Sequence, residues 1–380
     1  MKKINIVSDS LKLHKKLRGK IEILSKYKIK NKNDLSLLYT PGVGGVSTHL
    51  AQNPKETNLY TSRGNMVAVI SDGSAVLGLG NIGPEGALPV MEGKAAIFQS
   101  FAGINAFPVV LSTQNTEEII QVIKAIAPSF GAINLEDISA PRCFEIEERL
   151  KKELNIPIMH DDQHGTAMVV LAGIINALKV RGTKDKKVKI VINGAGAAGL
   201  AITKMLLEYG FTEIVVIDSI GAIYKGRENM NNEKTKIAQH TNKNKISGGL
   251  EEILKNTDVF IGVSKAGALK PELIKIMNRK PIIFALANPV PEIMPDVAKS
   301  SGAFIVATGR SDFPNQLNNA LGFPGIFRGA LDYNVKEITD AMLVRAAVVL
   351  AKLVKNPTKE NIIPSIFDKR VVITVAKSIK

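Results

Sequence analysis

Four carboxylates sit just beyond predicted strands: Glu136 and Asp137 in AINLEDIS, Asp161 and Asp162 in PIMHDDQHGTA. In parallel α/β sheets the carboxyl ends of strands face one crevice, so the two pairs can converge there. Such convergence is costly through mutual repulsion unless a cation is present, and hard oxygen ligands favour Mg²⁺ or Mn²⁺. For each carboxylate alone a helix cap or a surface salt bridge is the commoner role, and it is the two pairs at strand ends that favour the metal. His160 and His164 are four apart, as in the zinc motif H-E-x-x-H. That motif needs both on one helix with Glu after the first, whereas His160 ends a predicted strand and precedes Asp, so packing or hydrogen bonding is the reading for both.

Two stretches match G-x-G-x-x-G, Gly78-Leu79-Gly80-Asn81-Ile82-Gly83 and Gly194-Ala195-Gly196-Ala197-Ala198-Gly199. The second directly follows the strand candidate VKIVI, opens a helical run over 198–209, and precedes the strand candidate EIVVI with Asp218 at its end. Strand, glycine turn, helix, strand and terminal acid form a dinucleotide-binding unit, with pyrophosphate on the helix N-terminus and the carboxylate on a ribose hydroxyl. After the first stretch, Pro84 and Pro89 interrupt the pattern and no strand-ending acid comes at the right distance. Its glycines suit either an approach to a substrate carboxylate or nicotinamide, or a tight loop that packs closely. Asp218 favours a free 2′-hydroxyl and hence NAD, while Ser219, Lys225 and Arg227 nearby can hold a 2′-phosphate; the expectation is NAD as the better cofactor, with NADP accepted less well.

The elements that position these residues follow βαβ grammar. Strand candidates 66–70, 107–111, 132–135 and 157–159 form one series; 188–192, 213–217, 259–263, 282–286 and 303–307 form another. The expected fold class is α/β, with an N-terminal substrate and catalytic domain over 1–160 and a Rossmann-type dinucleotide-binding domain over 161–380. Residues 1–60 read as basic and turn-rich, 166–180 as a buried helix, and 339–354 as a closing helix before a tail that the pattern does not place. At 380 residues the chain exceeds what a single core supports, and few aromatics with no Trp point to an aliphatic core of parallel sheet and helices.

The formal charge of +15 is spread over scattered lysines without a nucleic-acid module or stacking aromatics, so no nucleic-acid partner is expected. The single cysteine, Cys143, excludes an internal disulfide and reads as structural filler. With no apolar signal core and no uncharged run of membrane-spanning length, the sequence predicts a soluble cytoplasmic protein with no membrane partner.

Taken together and in order, Tyr39-Thr40-Pro41-Gly42-Val43, SDGSAVLGLGNIGPEGALPVMEGKAAIF, NLEDI, HDDQHGTA, NGAGAAG, ANPVPEI and NNALGFPGIFRGAL resemble the malic enzyme family, in its short bacterial form. The resemblance implies oxidative decarboxylation of L-malate to pyruvate and CO₂ with reduction of NAD(P) and a divalent metal. It assigns Tyr39 and Lys94 as the catalytic tyrosine and lysine with Asp161 beside the lysine, and Glu136, Asp137 and Asp162 as metal carboxylates. Cofactor and substrate amides fall on Asn288 and on Asn318 or Asn319, and the family suggests a homodimer. Larger eukaryotic members have an arginine shortly after the Asp-Gly, where this chain has Ala75, so this position brings no cation to the substrate's distal carboxylate.

On that reading Lys94 is the base for the C2 hydroxyl, the dinucleotide the hydride acceptor, the metal the Lewis acid, and Tyr39 the acid that protonates C3. A metal-dependent decarboxylase without redox chemistry leaves the dinucleotide unit without a use. A non-catalytic dinucleotide-binding protein leaves the carboxylates, Lys94 and Tyr39 without one.

Overall fold

The computed structural model describes residues 6–76, 78–183 and 185–380, and among these the short β-branched runs form nine strands sorted into two all-parallel sheets. The first sheet contains β1 (Met66–Ser71), β2 (Asn105–Val110), β3 (Ala132–Leu135) and β4 (Ile158–His160) in the order β2-β1-β3-β4. The second contains β5 (Ile190–Asn193), β6 (Ile214–Ile217), β7 (Val259–Gly262), β8 (Ile282–Ala285) and β9 (Ile305–Thr308) in the order β6-β5-β7-β8-β9. The α/β class is as expected. Central strands are covered on both faces, which is why β1, β3, β7 and β8 read as apolar runs without alternation. Pro108 lies in β2, at an edge, where a missing N–H costs no central ladder bond.

Strand order also fixes where ligands can sit. The chain turns from β1 to opposite neighbours, β2 and β3, and from β5 to β6 and β7, so each sheet has a switch point with a crevice at its carboxyl ends. Glu136 and Asp137 follow β3, and the glycine turn follows β5.

The Asp161–Arg181 helix links the two sheets and is buried along most of its length. It begins earlier than the apolar run predicts, taking Asp161 and Asp162 into its first turn, where the helix N-terminus favours negative charge. One apolar core runs from Val67, Val69 and Phe98 beside the first sheet, through this helix, to Ile190 and Ile261 in the second.

Three stretches differ from the sequence reading. Residues 6–60 are largely helical rather than turn-rich, with helices Ile6–Leu17, Lys32–Leu38 and Gly42–Gln52. After the first glycine stretch the chain forms one continuous helix, Gly83–Ala102, instead of an interrupted pattern. Pro84 occupies its first turn, where no N–H is needed, and Pro89 is accommodated inside the second. The unplaced tail ends in a helix, Arg370–Ala376, which packs on the Phe323–Asp332 helix. There Gly325 and Gly329 leave room for Val375 and Ala376.

The Phe323–Asp332 helix in turn packs back on the first sheet's Gly83–Ala102 helix. Phe98 lies edge-on to Phe323 and Phe327, with ring centroids 4.7 and 5.4 Å apart, and all three are fully buried. No helix among the described residues is long and apolar enough to cross a membrane. Cys143 is buried, and burial pushes its thiol up to about 12, as suits a packing residue.

Candidate active site

Lys94 points from the Gly83–Ala102 helix into the crevice beyond β3 and β4. Its ammonium lies 2.5 Å from Glu136 Oε1 and 2.5 Å from Asp161 Oδ2, and the residue is only 7% exposed. Asn134 Nδ2 donates to Glu136 Oε2 at 3.0 Å, and Asn319 Nδ2 donates to Asp161 Oδ2 at 2.6 Å. The Phe323 ring covers the ammonium at 4.3 Å. Asp162 Oδ2 accepts from the Asp137 amide at 2.8 Å, tying the two acidic turns together.

Glu136, Asp137 and Asp162 each offer an oxygen, and these oxygens lie within 4.8 Å of one another. Asp137 has φ +54°, in the left-handed region that a non-glycine residue rarely adopts, and this orients the turn toward its acidic neighbours. Three hard donors at this separation could hold a divalent cation, and no histidine belongs to the group. Burial lowers His160 to about 4, so its ring is neutral near pH 7, and His164 Nε2 lies 2.9 Å from Glu147.

The electrostatics show an excess of negative charge. Burial pushes Asp161 and Glu136 up to about 7 against the opposing pull of Lys94, and it raises Asp162 as well. Burial alone would lower Lys94, yet Asp161, Glu136 and Asp162 together outweigh it and hold the ammonium above the ordinary lysine value.

The other expected residues lie in different places. Tyr39 ends the Lys32–Leu38 helix, is 66% exposed, and makes no side-chain hydrogen bond to the Lys94 cluster. Of the two adjacent amides, Asn319 reaches Asp161, while Asn318 turns its oxygen to the Ala320 amide at 2.9 Å as a local cap. Asn288 lies against the first glycine stretch: a Cβ at Gly78, which has φ +76°, would stand 2.1 Å from Asn288 O. Close packing therefore accounts for Gly78. Sequence reasoning passed over Asn134, Phe323 and Glu292, which is fully buried and accepts from the Ser264 and Ala287 amides at 2.8 and 3.0 Å, bracing the Asn288 loop. A lone polar residue in the apolar run AINL was the available signal for Asn134.

At the second sheet, Gly194 has φ +124° and Gly196 caps the Ala197–Tyr209 helix without a side-chain hydrogen bond, leaving the first N–H groups, including those of Ala197, Ala198 and Gly199, for an anion. A Cβ on Gly199 would stand 1.7 Å from Gly194 O. Asp218 follows β6 as expected, but both its oxygens are engaged. Arg227 Nη1 and Nη2 approach at 2.8 and 2.6 Å and Lys234 Nζ at 2.7 Å. Although burial works the other way, these bonds hold the Asp218 carboxyl well below its ordinary value.

Two parallel sheets joined by a buried helix, one carrying a lysine–carboxylate cluster and the other a glycine turn opening a helix, define a two-domain α/β protein with a dinucleotide-binding unit. Residues 18–151 match the family model of the malic enzyme N-terminal domain, and residues 163–379 that of the malic enzyme NAD binding domain. The chain belongs to the malic enzyme family. It is 53% identical over 379 residues to the bifunctional malic/malolactic enzyme of Bacillus subtilis, covering 99% of this chain and 92% of that one. It is 51% identical over 381 residues to the NAD-dependent malic enzyme of Geobacillus stearothermophilus, covering 100% and 79%. The crystal structure of an NAD-dependent malic enzyme from Thermotoga maritima superposes with a TM-score of 0.95 at 52% identity, covering 98% of this chain and 99% of that one.

Gly165 lies one helical turn after Asp161, and a Cβ there would stand 1.9 Å from Asp161 Oδ1. Replacing a helical glycine by alanine ordinarily stabilises a protein by about 0.5–1 kcal/mol. With Asp161 pinned by Lys94 and Asn319, Gly165→Ala is expected to destabilise instead, by about 1–3 kcal/mol. A rise in the thermal unfolding midpoint would show that Asp161 is not held in this position.

Proposed function

We propose that the protein oxidises and decarboxylates L-malate to pyruvate and CO₂, reducing NAD(P), with a divalent cation at Glu136, Asp137 and Asp162. The observation that carries this reading is the buried Lys94 bridging Glu136 and Asp161 beside three clustered carboxylates, on a chain that also holds a dinucleotide turn. When bound, the cation supplies Lewis-acid polarisation of the C2 oxygen, and the dinucleotide supplies a hydride acceptor.

Lys94 Nζ takes the proton of the C2 hydroxyl. Asp161 and Asn319 orient it, and Phe323 excludes water from one side. Neutralising Glu136 and Asp162 weakens two of the charges that keep Lys94 protonated, leaving Asp161 alone to oppose burial, which lowers its pKa. Tyr39 returns a proton to C3 after CO₂ leaves. Asn288, with Asn319 and its neighbour Asn318, provides amides toward substrate and nicotinamide, and the amides from Ala195 to Gly199 hold the pyrophosphate, while the Gly194 amide donates to Ile217 O.

NAD is the better cofactor in this reading and NADP the poorer. Asp218 can accept a ribose hydroxyl bond only in competition with Arg227 and Lys234, and those two cations can also meet a 2′-phosphate, so the discrimination is narrow. The chain works as a homodimer. Its N-terminal segment exposes Ile6, Leu11, Ile23, Leu24 and Leu37, an apolar surface that a second copy covers, and Tyr39 lies on the same segment. The lone buried thiol fits a cytoplasmic setting.

Malate-dependent reduction of NAD in the presence of Mn²⁺, followed at the reduced-nicotinamide absorbance, is the direct test. Lys94→Ala is expected to lower kcat by about 10²- to 10⁴-fold while dinucleotide affinity stays nearly unchanged. Turnover near the wild-type rate in a folded variant would remove Lys94 from the chemistry, and full activity after exhaustive chelation would remove the metal. For the cofactor, Lys234→Ala should lower kcat/KM for NADP more than for NAD; equal losses would show that Lys234 does not face the 2′ position. For assembly, sedimentation should give the mass of a dimer, and Ile23→Glu with Leu37→Glu should give monomers. A wild-type monomer at assay concentrations would refute the dimer.

A further inference from the structure

The two halves of the carboxylate cluster lie on separate turns, and one helix that supplies no carboxylate to the cluster grips both. That helix is Arg142–Glu153, between β3 and β4. Resting on the metal reading above, we infer that Arg142 and Glu147 are positioning residues that set the Asp137 and Asp162 carboxylates at the separation a divalent cation requires.

Arg142 holds the Glu136–Asp137 half. Its Nη2 donates to Asp72 Oδ2 at 2.9 Å and to Ser139 Oγ at 3.1 Å, while its Nη1 donates to Gln114 O. Asp72 is fully buried, and its Oδ1 accepts from the Ser74 amide at 3.0 Å and the Ser74 hydroxyl at 2.5 Å. Ser74 Oγ accepts from the Ser139 amide at 2.9 Å, and the Ala75 amide donates to Asp137 O at 3.0 Å. The turns after β1, β2 and β3 are thus stitched together around one guanidinium. Asp137 lies inside this stitch with φ +54°, a conformation that survives only when its surroundings over-determine it.

Glu147 holds the Asp161–Asp162 half, five residues along the same helix. Buried to 5% exposure, its carboxylate accepts from the His160 amide at 3.1 Å, from Gln163 Nε2 at 3.2 Å and from His164 Nε2 at 3.0 Å, and pairs with Lys151 Nζ at 2.9 Å. Those contacts flank Asp161 and Asp162 on both sides, leaving both carboxylates no part in anchoring their own turn to this helix. The bond from the Asp137 amide to Asp162 Oδ2 then fixes one half against the other.

The shape and charge of each grip are specific. Glutamine at 147 would present an amide NH₂ where the carboxylate meets donors, and lysine at 142 keeps the charge but loses the fork that reaches three partners. Residues that orient metal ligands typically cost about 10- to 100-fold in metal affinity or activity when changed.

The test measures Mn²⁺ binding to the full chain directly, from the electron paramagnetic resonance signal of free Mn²⁺, and NADH binding from its fluorescence. Glu147→Gln and Arg142→Lys are each expected to weaken Mn²⁺ binding by about 10- to 100-fold while shifting NADH affinity by less than about threefold. Glu147→Asp, which keeps the charge on a shorter stem, should lose less than Glu147→Gln. Arg149→Ala, on the same helix, removes only exposed pairs with Glu145, Glu153 and Glu117 of the Thr116–Ile126 helix and should leave Mn²⁺ binding unchanged. Wild-type Mn²⁺ affinity in the folded variants overturns the inference, as does parallel weakening of Mn²⁺ and NADH. If instead wild type binds no Mn²⁺, or Asp162→Asn binds it as tightly as wild type, the metal reading itself is what fails.

Discussion

A buried ammonium between two carboxylates is the constraint on which the site depends. Lys94 arrives from a helix, Glu136 from the end of β3 and Asp161 from the first turn after β4, so one cation joins three elements. Leaving any one of these charges unpaired in such surroundings would cost several kcal/mol. Every neighbour accordingly contributes to satisfaction or shape: Asn134 and Asn319 donate to the carboxylates, Phe323 covers the ammonium, and Gly165 leaves the space into which Asp161 folds.

The pairing does not balance. One lysine faces four carboxylates, and burial raises Glu136, Asp161 and Asp162 against its influence. A cluster of this kind stores electrostatic demand for a second cation, and it is the same demand that keeps Lys94 charged in its absence. A cation held at these carboxylates would therefore be coupled to proton affinity at Lys94 through Glu136 and Asp162. At the other sheet the sign is reversed: Asp218 is held by two cations, and a carboxylate that looked free in the sequence is already engaged.

Periodicity made the strands legible because parallel strands covered on both faces must be apolar throughout, and all nine emerged close to their predicted places. The acidic pairs were legible because strand ends in such sheets face a common crevice. The interrupted reading of the Gly83–Ala102 helix failed because proline is costly only where an N–H is needed or a carbonyl is crowded, and one of its two prolines sits in the opening turn. Partners distant in sequence stayed hidden for a different reason. Nothing in the motif around Asp218 says that Lys234, sixteen residues on, folds back to it, and nothing in RCFEIEERL announces that Glu147 is buried beneath the turn that carries Asp161. Such contacts depend on packing between elements, which local pattern does not encode.

The three phenylalanine rings at 98, 323 and 327 have a consequence for how the molecule is made. Phe98 leaves the ribosome 225 residues before Phe323, and at roughly 5–20 residues per second that interval lasts about 11–45 s. Throughout it the nascent first sheet exposes the apolar face of its longest helix, Lys94 lacks the ring that covers it, and Asp161 lacks the amide of Asn319. The crevice around Lys94 therefore cannot mature during synthesis of the segment that contains most of its charges. Its completion waits until Asn319 and Phe323 have been synthesised, and in that window a chaperone could shelter the uncovered helix.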